Sequence, residues 1–104
     1  MSKYSITQLW DQIFRGQNEV YDYAGRRIVR SAIGNQHSSC CPTIDHIRPL
    51  SRGGKDCLEN IVICNQITNE EKADSFPSWS ANGKMFQARR VKGTSNEYDI
   101  YQLD

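Results

Sequence analysis

At 104 residues the chain is one domain's worth, long enough for a real but modest core. Its hydrophobic share of 38% and charged share of 24% fit an ordinary globular protein, and no apolar run approaches the roughly 20 residues needed to span a membrane. The net charge of +1 excludes an overall basic or acidic chain and says little by itself about partners.

The first residues, Met1 to Ser5, lack the apolar stretch and cleavage site of a secretory signal, so the host cytoplasm is the expected location. Ser5-Ile6-Thr7-Gln8 predicts a capped helix start. Ile6, Leu9, Trp10, Ile13 and Phe14 then recur at helical spacing until Gly16. Glu19 to Asp22 and Arg27 to Arg30 flank Tyr23-Ala24-Gly25-Arg26, which predicts a hairpin. Ile33 to Ser39 reads as a loop. Thr43-Ile44-Asp45-His46-Ile47 alternates apolar and polar and predicts a short strand that Pro49 ends. Residues 48–59, with Pro49, Ser51 and Gly53-Gly54, predict a long loop. Asn60 to Cys64 is a second strand. Asn65 then caps a helix from Gln66 to about Ser75, with Pro77 beyond it. The centre therefore reads strand, loop, strand, helix. Asn82-Gly83 predicts a hairpin within Trp79 to Val91, and Tyr98 to Leu103 is a last strand. The fold class is α+β, in a single domain over 1–104 with its motif core at 43–76.

Charge is unevenly distributed. Residues 26–55 hold Arg26, Arg27, Arg30, Arg48, Arg52 and Lys55 against Asp45 alone. Residues 84–92 hold Lys84, Arg89, Arg90 and Lys92 with no acid, while 56–83 is acidic. Two basic segments flanking an acidic one suggest a positive face that attracts phosphates, although each of these charges taken alone reads as solvated surface. The four cysteines, Cys40, Cys41, Cys57 and Cys64, include no C-x-x-C pair and are expected as reduced thiols. They read either as small core residues or, with His37, as a weaker zinc set of His37, Cys40, Cys64 and Cys57.

The segment from Thr43 to Asp74 carries the pattern D-H-I-x-P-x-S-x-G-G-x-D, then N, then N-x-x-K. It does so at Asp45, His46, Ile47, Pro49, Ser51, Gly53, Gly54, Asp56, Asn60, Asn69 and Lys72. This resembles the HNH motif, in the variant whose third position is Asn, and covers about a third of the chain. The resemblance implies a ββα-metal (His-Me finger) core, here with an N-terminal helix and additional hairpins.

It implies catalytic roles for His46, Asn60 and Lys72. An imidazole titrates near neutral pH, so His46 suits proton abstraction from water. Asn60 would bond across the loop and hold His46. Lys72, three residues after Asn69 on one helical face, would reach the phosphate. Asp45 and Asn69 would be metal ligands, and such hard oxygen donors suit Mg²⁺ or Mn²⁺. Structural zinc is doubtful, because Cys40 and Cys41 are adjacent and Asn65 and Thr68 stand where zinc-stabilised relatives have a second cysteine pair. Asp45 and His46 are neighbours on a strand and should point to opposite faces, so a shared site depends on the strand ending or twisting there.

The resulting expectation is a metal-dependent HNH endonuclease or nickase acting on DNA, of a kind common in phages and mobile elements. Arg30, Arg48, Arg52, Lys55, Arg89 and Arg90 would contact nucleic acid. Specificity would be low, or supplied by a second copy or a larger protein partner. The competing expectation is a non-catalytic nucleic-acid-binding or nuclease-inhibiting protein on the same fold.

Overall fold

The computed structural model describes residues 2–104. Helix α1 spans Ile6–Phe14, and Ser5 Oγ accepts from the Gln8 amide at 3.4 Å. It ends through Arg15, whose φ of 48° is left-handed, one residue before the expected Gly16. Leu9 and Trp10 are its buried residues, and they pack with Ile28 and Ile63. Of the apolar stripe read from the sequence, Leu9, Trp10 and Phe14 pack inward, whereas Ile13 is exposed.

The first hairpin pairs β1 (Glu19–Tyr21) with β2 (Arg27–Val29), Val20 opposite Ile28. The second pairs β3 (Pro42–His46) with β4 (Ile61–Asn65). Its register sets Ile44 opposite Ile63, Asp45 opposite Val62 and His46 opposite Ile61. Cross-strand partners share a face. Ile44, Ile61 and Ile63 therefore join the α1 cluster, while Val62 joins the other core with Ile47, Trp79 and Phe86. Helix α2 (Gln66–Lys72) follows β4 directly and packs on this second face.

Helix α2 is shorter than expected. Its C-cap is Ala73 at φ 48°, and the Ser75 amide folds back onto the Lys72 carbonyl. The chain then forms a three-stranded sheet of β5 (Ser78–Ala81), β6 (Lys84–Arg90) and β7 (Tyr98–Gln102), in that order. Ala81 pairs with Lys84 across Asn82 and Gly83, both at positive φ (52° and 74°), as a two-residue hairpin turn demands. The last strand pairs along β6 and so completes a sheet whose inner face, Trp79, Phe86, Ala88 and Tyr98, forms the second core.

One buried network ties the first hairpin to the second. Asp22 is 8% exposed. Its Oδ1 accepts from the Ala24 and Arg26 amides, each at 2.9 Å. Its Oδ2 accepts from the Asn65 amide at 3.0 Å and Thr68 Oγ1 at 2.7 Å. Asn65 in turn caps α2 through Ile67 N, and donates to the carbonyls of Arg27 and Ser39. The two positions that lack cysteines are therefore occupied by a hydrogen-bonded cross-link. Asp22→Ala would orphan several buried donors at about 1–3 kcal/mol each. Urea unfolding should register a loss of about 3 kcal/mol or more, against about 1 kcal/mol for Thr68→Val, which removes one partner.

Candidate functional site

The loop between β3 and β4 is shaped from inside by Asn60, which is fully buried. Its Oδ1 accepts from the Arg48 amide at 2.8 Å. Its Nδ2 donates to the carbonyls of Arg48 (3.0 Å) and Lys55 (2.9 Å). Its own backbone carbonyl accepts from Ile47 N at 2.8 Å. The loop closes so tightly that a Cβ on Gly54 would sit 1.8 Å from the Arg48 carbonyl oxygen. The glycine pair thus answers a need for close backbone approach. Asn60 does bond across the loop, and it does so without facing the groove described next.

Asp45, His46 and Asn69 line one open groove of about 620 Å³, with Pro49, Ser51 and Asp74 on its walls. Strand β3 ends at His46, so its ring reaches the groove from the α1 side of the hairpin while Asp45 reaches it from the α2 side. That ending removes the conflict between adjacent side chains. Asn69 Nδ2 donates to Thr43 Oγ1 at 3.0 Å and more weakly to the Ile44 carbonyl at 3.4 Å. Its amide oxygen is left without a donor among the described residues. Asp45 Oδ2 is buried and likewise takes no hydrogen bond. His46 Nε2 faces Asp56 Oδ1 at 2.7 Å.

Lys72 departs from the sequence expectation. It is fully buried, with its Nζ donating to the His46 carbonyl at 3.1 Å and 5.0 Å from the centre of the Trp79 ring. It stands 3.4 Å from Asp45 Oδ2, an ion-pair distance with no hydrogen bond formed. An ammonium packed beneath the strand cannot also reach a phosphate in the groove. The helical spacing put Lys72 on the face of Asn69 correctly but could not tell that this face turns inward one turn later. Burial pushes the Asp45 carboxyl above the ordinary carboxylate range, and Lys72 opposes that rise.

The basic residues are spread. None of Arg30, Arg48, Arg52, Lys55, Arg89 and Arg90 lines the groove. Arg30 pairs with Asp11 through two contacts of 2.8 and 2.9 Å. Arg48 is a brace: it donates to the Arg52 carbonyl and the Tyr98 hydroxyl and covers the Phe76 ring. Arg52 is exposed and reaches the carbonyl of Asp74, a groove residue, at 2.6 Å. Lys55 is exposed. Arg89 stacks on Tyr101 on the sheet's outer side, and Arg90 is exposed at the end of the same strand, opposite Tyr98. Arg26 and Arg27 are committed to Glu71 and Glu19. Of the cysteines, Cys64 is buried and its thiol is pushed up mainly by that burial.

A family model described as HNH endonuclease matches residues 22–78, more than half of the chain. The chain belongs to the HNH endonuclease family. No match was found among curated proteins or among solved structures. Members of the HNH family are generally nucleases that act on nucleic acid with divalent metal ions. In this HNH protein the matched segment begins at Asp22, the centre of the buried cross-link, and contains every groove residue. Arg89 and Arg90 fall outside it.

Two residues near the site were not singled out from sequence. Asp22 read only as the end of a hairpin strand, and Asp56 appeared in the motif pattern without a role. The buried lysine makes a sharp prediction. Lys72→Met keeps an apolar stem but strands a buried carboxylate, at a cost of about 3–5 kcal/mol. Denaturant unfolding should show that loss, with part of it recovered in the Lys72→Met, Asp45→Asn double variant. A surface lysine would change stability by no more than about 0.5 kcal/mol.

Proposed function

We propose that this chain is a divalent-metal-dependent endonuclease or nickase that hydrolyses phosphodiester bonds in DNA. In this reading β3, β4 and α2 act as a ββα-metal core. The observation that carries it is that His46, Asp45 and Asn69 line one groove, where Asn69 Oδ1 has no hydrogen-bond donor and the Asp45 carboxylate, its Oδ2 buried against Lys72, takes none either. A buried carboxylate oxygen without a donor is costly unless something positive completes it. Lys72 supplies charge at 3.4 Å but no hydrogen bond. Carboxylate and amide oxygens form a hard donor set that fits Mg²⁺ or Mn²⁺, with water filling the remaining positions. Bound there, the ion would supply positive charge to the scissile phosphate and the departing oxygen.

The chain's own groups supply the rest. His46 takes a proton from a water, which attacks phosphorus as the P–O3′ bond breaks. Asn60 acts as a positioning residue, since it sets the loop that leads away from His46. Lys72 also positions, by holding the end of β3 from beneath through the His46 carbonyl and the Asp45 carboxylate. Arg52 and Lys55, exposed on the loop beside the groove, are the nearest candidates for phosphate contact. Arg48 contributes by bracing that loop, whereas Arg30, Arg89 and Arg90 would serve only DNA that extends past the groove.

Plasmid relaxation should require Mg²⁺ or Mn²⁺, stop in EDTA and return when metal is restored. His46→Ala should lower turnover by about 10²–10⁴-fold with the fold intact by circular dichroism. Turnover unchanged in that variant, or metal-independent cleavage, would remove the assignment. DNA bound tightly with no cleavage under any metal would favour the non-catalytic alternative.

Binding should also weaken steeply with salt, as expected where cationic side chains displace counterions. Arg52→Ala with Lys55→Ala should lower affinity and flatten the salt slope, without shifting the cut position. Affinity that stays flat from low to moderate salt would count against this surface.

A further inference from the structure

Asp56 stands ten residues after His46, inside the loop that Asn60 closes. Three groups converge on its carboxylate. His46 Nε2 is 2.7 Å from Oδ1, Ser2 Oγ donates to the same oxygen at 2.8 Å, and the Lys3 amide donates to Oδ2 at 2.7 Å. The His46 hydrogen bond first, and the Lys3 amide second, hold the Asp56 carboxyl down at about 2. At neutral pH it is therefore ionised and offers acceptors only. A neutral imidazole facing such a group must carry its proton on the nitrogen turned toward it.

We propose that Asp56 is a positioning residue that locks His46 in the Nε2–H tautomer and leaves the Nδ1 lone pair as the base. The functional half of this rests on the reading of His46 as general base. The tautomer itself does not. The motif supplies an Asp-His neighbour pair at Asp45-His46, but Asp45 faces Lys72 on the other side of the strand. The carboxylate that orients the ring instead comes from the far side of the loop, and the start of the chain fixes that carboxylate in turn.

The N-terminal contacts make the proposal testable with a change of a single atom. The Lys3 amide can only donate, so in Asp56→Asn the side-chain oxygen must turn toward it. The new NH₂ group then faces His46 Nε2 and Ser2 Oγ, and the hydroxyl can rotate to accept. A donor opposite Nε2 forces the ring proton onto Nδ1, which blocks the base while shape and packing stay the same. A role limited to tethering the first residues would not move the ring proton.

The experiment records long-range ¹H–¹⁵N correlations of the His46 ring in the full chain, at a pH where the ring is neutral. The other histidine, exposed His37, is assigned by His37→Ala. The expected result is an Nε2–H ring in the unaltered protein and an Nδ1–H ring in Asp56→Asn. Turnover in that variant should fall by about 10²–10⁴-fold, with KM for DNA and the urea midpoint little changed. Asp56→Ala, which offers neither donor nor acceptor, should give a ring averaging between both tautomers and a smaller loss. An Nδ1–H ring in the unaltered protein, or an Asp56→Asn variant that keeps Nε2–H and full turnover, overturns the proposal. If the unaltered protein cleaves nothing, the nuclease reading fails, and the ring spectra still decide whether Asp56 sets the tautomer.

Discussion

Asp22 carries a carboxylate into an environment where 8% of the residue meets solvent, and an unpaired charge there would not be tolerated. Its oxygens are filled by two amides of its own turn and by an amide and a hydroxyl from the junction of β4 and α2. Everything at the site hangs from that junction. Asn65 ends a strand and caps a helix in the same residue, so the direction in which α2 leaves the hairpin is set by Asn65 and by what holds it. Strands β1 and β2, which contribute nothing to the groove, matter because their turn supplies the acceptors.

A seven-residue helix has no independent stability in water. Helix α2 persists because its ends are pinned from outside: the cap and Thr68 at one end, Lys72 against the His46 carbonyl and Trp79 ring at the other. Asn69 sits between these anchors, and its amide nitrogen is occupied by Thr43. Its oxygen is presented by elimination: the nitrogen end is spoken for, so the amide cannot turn over. The site's precision thus comes from groups placed in the core for packing.

Much of this was legible beforehand. Alternation over Thr43 to Ile47, the glycine-rich loop and the apolar run to Cys64 located the hairpin within a residue at each end, because one-sided burial fixes strand register. Asn82-Gly83 located its turn because few residue pairs accept two positive φ angles. Ser5 marked a helix start by local chemistry alone. What stayed hidden depended on distant partners. Nothing in the spacing says that Arg30 will meet Asp11, that Arg48 will meet Tyr98, or that Asp56 rather than Asp45 will meet the His46 ring. The inward turn of Lys72 was hidden for the same reason: a helix face looks alike from sequence whether it meets solvent or a tryptophan.

The ion pair beneath the strand has a consequence for how this protein can change. Trp79, which covers the Lys72 ammonium, is locked in turn by Tyr23 and Phe86. The groove's floor is therefore shared property of the first hairpin, the central hairpin and the terminal sheet. Residues 43–76 hold the groove but not its foundation, so they are not a portable cassette. Transplanted onto another scaffold they would arrive without Asp22, Tyr23 or Trp79, and the lysine would surface. Duplication or fusion of this unit must carry the whole chain.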